Sequence, residues 1–119
     1  MDDKDTTVEH LKDIVRKFCE DRDWDQFHNP KDLAIGISTE ANELLDLFRF
    51  KSEEEMKTMM KEERKEIGEE LADVLYFVLR FAQINSFDLT QELVNKLEIN
   101  ERRYPVERSR GSNKKHSEL

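Results

Sequence analysis

The sequence predicts an all-α protein, a four-helix-type bundle with one core. Three observations predict it. The chain of 119 residues holds only 3 Gly and 2 Pro, too few turn residues for a many-stranded sheet. Charged residues make up 40% and hydrophobic ones 36%, a balance that suits long amphipathic helices. Apolar residues recur at helical spacing through four separate segments. The low apolar share also suits a chain that completes its core by self-association.

The first helix is expected to begin at Thr6 or Thr7, since Thr6 and Glu9 have capping-box spacing. Val8, Leu11, Ile14, Val15 and Phe18 mark its apolar face. Residues 21–28 break the period and form a connector rich in aromatics, with Trp24, Phe27 and His28. Asn29-Pro30 starts a second helix, Asn as cap and Pro in the first turn, running to about Phe50. Its stripe is Leu33, Ile37, Leu44, Leu45 and Phe48. Residues 51–63 are highly charged, with Met56, Met59 and Met60 as their sizeable apolar groups. They read as a solvated connector, although Ser52 and Glu55 could cap a short helix there.

A third helix is expected over about 62–85, with Ile67, Val74, Phe77 and Phe81 as its core face. Residues 85–88 read as a turn. A fourth helix then uses Leu89, Leu93, Val94 and Leu97 and must stop before Pro105. The domain is thus expected over 1–105, with a polar, locally basic tail over 106–119. The lone Cys19 cannot form an internal disulfide, which points to a reducing, cytoplasmic compartment. No signal peptide or membrane span is legible. The net charge of -8 argues against a stable nucleic-acid complex.

The chemistry lies in two acidic motifs, Glu40-x-x-Glu43 and Glu70-x-x-Asp73. At roughly 100° of rotation per residue, Leu33, Ile37, Leu44 and Leu47 fall within about 60° of Glu40. Glu40 therefore lies inside an apolar stripe. Ile67, Val74, Phe77 and Phe81 fall around Glu70 in the same way. Glu43 and Asp73 sit about 60° off, at the stripe borders, one turn along. Buried carboxylates are costly unless a cation meets them. Four of them on two facing helices suggest a hard divalent metal, Mg2+ with Mn2+ as a variant. A di-iron bundle would need Glu-x-x-His on two helices, and no histidine here has that spacing. Glu66, Glu69 and Asp46 are neighbouring acids for which solvation is the simpler reading.

Other residues could read a nucleotide. His28 is either a local capping partner or a group approaching base or phosphate. Trp24, Phe50, Tyr76 and Phe77 are stacking candidates whose alternative is core packing. Lys96, Asn100 and Arg103 form one stripe on the fourth helix, suited to phosphates or simply to solvent. The non-catalytic alternative for the chain is a helical oligomerisation module with structural carboxylates.

Longer strings carry a resemblance. Arg22-Asp23-Trp24-Asp25-Gln26-Phe27-His28, Glu69-Glu70-Leu71-Ala72-Asp73-Val74-Leu75, Ile99-Asn100-Glu101-Arg102-Arg103-Tyr104-Pro105 and Arg110-Gly111-Ser112-Asn113-Lys114-Lys115 join the two acidic motifs. Together they resemble the MazG-type all-α nucleoside triphosphate pyrophosphohydrolases, most closely the dCTP pyrophosphatase subgroup. The resemblance implies a magnesium-dependent enzyme that hydrolyses a (deoxy)nucleoside triphosphate to monophosphate and pyrophosphate. It implies Glu40, Glu43, Glu70 and Asp73 as metal ligands. Lys96, Asn100 and Arg103 would be phosphate contacts and Trp24 a base-stacking residue. It also implies a homodimer or homotetramer, with first-helix and connector residues reaching a neighbour's site. The chain departs from the subgroup at Val15, where a pocket histidine is expected, at Phe50, where a tryptophan is, and at Phe77, where a tyrosine is. Stacking could survive these changes and a hydrogen bond from the histidine could not, so pyrimidine or broader dNTP specificity stays open.

Overall fold

The computed structural model describes all residues, Met1–Leu119. Its elements are α1 (Val8–Glu20), a 3-10 turn (Asp25–Phe27), α2 (Pro30–Phe48), α3 (Glu53–Glu62), α4 (Arg64–Ile84), α5 (Leu89–Arg103), α6 (Val106–Ser109) and a 3-10 turn (His116–Glu118). There is no strand, so the all-α class holds. The second and third expected helices correspond to α2 and α4. No helix is long and apolar enough to cross a membrane.

The caps explain the helix starts. Thr7, one residue after the capping-box threonine, accepts a hydrogen bond at Oγ1 from the His10 N–H at 3.1 Å. Asn29 Oδ1 accepts from the Asp32 N–H at 2.8 Å, with Pro30 in the first turn of α2. Asp88 Oδ1 accepts from the Gln91 N–H at 2.9 Å to open α5. Each cap satisfies a donor that the helix itself leaves unpaired.

Residues 53–62 correct the sequence expectation of a solvated connector: they form α3. Ser52 Oγ accepts from the Glu55 N–H, and Glu55 Oε1 accepts from the Ser52 N–H, both at 3.1 Å. This reciprocal box satisfies two otherwise orphaned donors. Met59 then buries in the core and Met56 is half-buried, and α3 packs on α4. High charge density describes the outer face of α3, not its fold.

The chain divides into two compact units, residues 1–86 and 87–119. In the first, α2 and α4 share the largest contact, and α1 and α3 also pack on α4. Cys19, Leu33, Met59, Ile67, Leu79 and Ala82 form the buried core. The expected α1 face is only partly used. Leu11 and Val15 are half-buried, while Val8, Ile14 and Phe18 are exposed because the docked face of α1 centres on Lys12 and Cys19. Leu45, placed in the α2 stripe by periodicity, is exposed as well: it lies on the rim of a stripe wider than the α4 contact.

The second unit comprises α5, α6 and the last 3-10 turn, so the expected tail contains local structure. His116 packs edge-on against Tyr104, ring centroids 5.7 Å apart. Leu93, Val94 and Leu97 were expected as a core face but are exposed, because the second unit is too small to enclose them.

Gly36 decides how closely α2 and α4 approach. A Cβ there would stand 2.5 Å from Phe77 Cδ1 and Cε1, so the ring lies directly on the α2 backbone. Gly36→Ala gains helix propensity of up to about 1 kcal/mol. It also forces Phe77 out of place, an overpacking cost of about 1–3 kcal/mol. The expected result in urea titration is a net loss of stability. An alanine variant at least as stable as the parent would show that Phe77 is free to move.

Candidate metal centre

The carboxylates arrive from two helices. On α2, Glu40 and Glu43 lie one turn apart; on α4, Glu70 and Asp73 do the same. The docking of α2 on α4 brings one oxygen from each of the four within 4.8 Å of the others. Glu40 and Glu70 are half-buried, Glu43 and Asp73 exposed, the division that helical rotation predicts for stripe and border.

This arrangement is electrostatically unfavourable by itself. Glu40 Oε2 and Glu70 Oε2 are buried without a hydrogen-bond partner. Loss of solvent pushes the Glu40 carboxyl above its usual range, and Glu43, Asp73 and Glu70 push it further by hydrogen bonding and like charge. Glu70 is raised in the same way, by desolvation first, then by Glu43, Asp73 and Glu66. Two orphaned oxygens inside a four-carboxylate group are what a hard divalent cation would satisfy, so the residues fit Mg2+ or Mn2+. Asp46 stands outside the group; its nearest cation is Arg49 at 4.0 Å, on the surface. Glu66 and Glu69 are also outside it.

The aromatic candidates form a chain of edge contacts. Trp24 meets Phe18 at 5.7 Å, Phe18 meets Tyr76 at 6.1 Å, and Tyr76 meets Phe77 at 4.9 Å between ring centroids. The Tyr76 hydroxyl lies 3.1 Å from the buried Cys19 Sγ. Burial, then that contact, raises the phenol well above its usual range, so it stays protonated. Phe50 stands apart: it is 89% exposed, with a positive φ of 65° and the Arg49 guanidinium over its ring. A bulky residue in this backbone region is uncommon and strained. Lys96, Asn100 and Arg103 lie along α5, in the second unit.

His28 has a partner the sequence did not suggest. Its Nδ1 accepts from Arg80 Nε–H at 2.9 Å. Arg80 is 1% exposed, the largest fully buried side chain, and its other nitrogens donate to Gln83 Oε1 and Asp25 Oδ1. The available signal was its isolation, since Arg80 is the only charged residue between Asp73 and Asp88.

Burial, then the Arg80 charge, holds the His28 pKa below its usual value near 6.5, against a smaller opposing effect of Asp25. The unfolded chain therefore binds this proton more readily than the folded one. The resulting stability is present above about pH 6.5 and is lost as pH falls through the lower folded value. His28→Asn keeps an acceptor near the Nδ1 position and cannot titrate. Its melting temperature should fall less than the parent's between pH 7.5 and 5.5. Equal falls would remove His28 as the source.

Comparison with known proteins agrees with this architecture. A family model described as the MazG-like family matches residues 35–119. The chain is 37% identical to dCTP pyrophosphatase 1 of Mus musculus over 115 residues, covering 95% of this chain and 68% of that protein. It is 36% identical to dCTP pyrophosphatase 1 of Homo sapiens over the same span and shares of chain. The crystal structure of a pyrophosphatase from Archaeoglobus fulgidus superposes with a TM-score of 0.78 at 37% identity, covering 82% of this chain and 92% of that one. With four helical carboxylates converging where α2 meets α4, and relatives matched along nearly its whole length, the chain belongs to the MazG-like family.

Proposed function

We propose that this nucleoside triphosphate pyrophosphatase uses Mg2+, with Mn2+ able to replace it, to convert (deoxy)nucleoside triphosphates to monophosphate and pyrophosphate. Pyrimidine dNTPs such as dCTP are the leading substrates. The carrying observation is the convergence of Glu40, Glu43, Glu70 and Asp73 with two buried, unpartnered oxygens. Carboxylates serving only as structural salt bridges would have those oxygens paired. The dCTP pyrophosphatase relatives support the substrate class.

In this reading the four carboxylates hold the cation. When bound, it supplies charge neutralisation along the triphosphate and orients the attacking water. Glu40 or Glu43 accepts that water's proton. Lys96, Asn100 and Arg103 contact the phosphates. Trp24, Phe50, Tyr76 and Phe77 offer rings to the base, and His28 borders Trp24. An assay of NTPs and dNTPs for pyrophosphate release, with Mg2+ and with Mn2+, tests the function. No release from any of them would end it. Isotope-labelled water distinguishes attack at the α phosphorus, which labels the monophosphate, from attack at the β phosphorus, which labels pyrophosphate.

The same reading includes a cytoplasmic homodimer or homotetramer. The assembly is supported by the unused apolar surface: Ile14, Leu45, Leu71 and Leu75 are 44%, 56%, 54% and 47% exposed. Light scattering at micromolar concentration should give a mass two or four times that of the 14.3 kDa chain. A monomer mass would refute the assembly while leaving the carboxylate site in question to the activity assay.

A further inference from the structure

We propose that Arg80 is a positioning residue for nucleobase selection: its buried guanidinium clamps the connector that carries Trp24 onto α4. This rests on the reading above that Trp24 stacks the base.

The clamp grips both ends of the 3-10 turn. Asp25, its first residue, receives the Nη2 donor, and His28, its C-cap, receives Nε–H at 2.9 Å. Nη1–H donates to Gln83 Oε1 at 2.6 Å, one turn along α4, which holds the guanidinium against its own helix. Arg80 thus spans 55 and 52 residues of sequence to its two connector partners. Trp24 is the N-cap of the turn and touches His28 edge-on at 6.3 Å. Trp24 is 37% exposed, so its neighbours place it without enclosing it.

The position on α4 links the clamp to the carboxylates. Arg80 follows Asp73 by seven residues, close to two turns. It therefore lies on nearly the same face, roughly 10 Å along the axis. A rigid helix then sets the separation between the phosphate-binding end and the base-reading end. Asp25, His28 and Gln83 are each met by a different guanidinium nitrogen, a spread that the single nitrogen of lysine does not reproduce.

Arg80→Lys keeps the charge and loses the fork. With a dNTP, its KM should rise roughly tenfold, the scale of one lost base–aromatic stack. The kcat should stay within about twofold. With 2′-deoxyribose 5′-triphosphate, which has no base, kcat/KM should match the parent. Trp24 is the only tryptophan, so acrylamide quenching of fluorescence reads the connector directly and should increase in the variant. Asp25→Asn, with Arg80 in place, retains an acceptor for Nη2 and should match the parent in every measurement. Equal losses with the dNTP and the base-free triphosphate would mean a purely structural role and overturn the proposal. So would an unchanged dNTP KM. If the parent hydrolyses no triphosphate, the pyrophosphatase reading fails by itself, and unchanged quenching in Arg80→Lys would then refute the clamp separately.

Discussion

Glu70→Gln should abolish metal-dependent pyrophosphate release, by roughly a thousandfold or more, while making the metal-free protein more stable. Both effects have one origin. Glu70 lies where α2 and α4 meet, with one oxygen buried and unpartnered and Glu43 and Asp73 beside it. Removing one anionic ligand forfeits several kcal/mol of charge stabilisation in the transition state, hence the rate factor. In the absence of metal the same charge is a burden. A carboxyl whose folded pKa is raised favours the folded state below its usual value, near 4.5 for Glu70 and Glu40. That advantage is lost as pH rises through the folded value. At neutral pH an uncharged glutamine avoids the penalty. Thermal melts in chelator should therefore place Glu70→Gln above the parent, and melts with Mg2+ should reverse the order. The parent's Mg2+ affinity should also climb with pH above the ordinary carboxylate range, since binding displaces protons. A variant that retains full activity, or that melts below the parent in chelator, contradicts the site.

The second large effect is expected in stability. Arg80→Met should cost about 2–4 kcal/mol, seen as a melting temperature lower by roughly 10 °C. Methionine replaces most of the volume of the stem, so cavity formation is minor. The loss comes from three hydrogen bonds of a guanidinium that is 1% exposed. Water can take over at Asp25, whose side chain is 58% exposed, which keeps the cost below that of a fully buried ion pair. His28 is half-buried, so water replaces the bond to its Nδ1 less readily. A change under about 0.5 kcal/mol, typical of a surface site, would show that the connector needs no anchor.

Helix positions were legible because their causes are local. Asn29-Pro30 and the apolar period of α2 and α4 involve residues within a turn or two of each other. So does the division of Glu40 and Glu70 from Glu43 and Asp73. Residues 53–62 show the limit of that legibility. Ser52 and Glu55 signalled a capping box, yet charge suggested a connector, and the decision came from Met59 burying on α4. On α1, periodicity defined one broad apolar face; docking used the part around Cys19, left Val8 and Ile14 outside and kept Phe18 at the rim against Tyr76.

The sequence by itself determined an all-α chain, two helices with paired carboxylates, and membership of a family that its motifs already resembled. Helical rotation and capping depend on nearest neighbours, so they are written in consecutive residues. Only the tertiary structure decided that four carboxylate oxygens meet within 4.8 Å, that Gly36 admits the Phe77 ring, and that Arg80 reaches back to Asp25 and His28. Those outcomes depend on how α2 and the connector dock on α4. Contacts between residues 27 to 55 positions apart have no local period to announce them, and a lone arginine in an apolar run names no partner until the chain has folded around it.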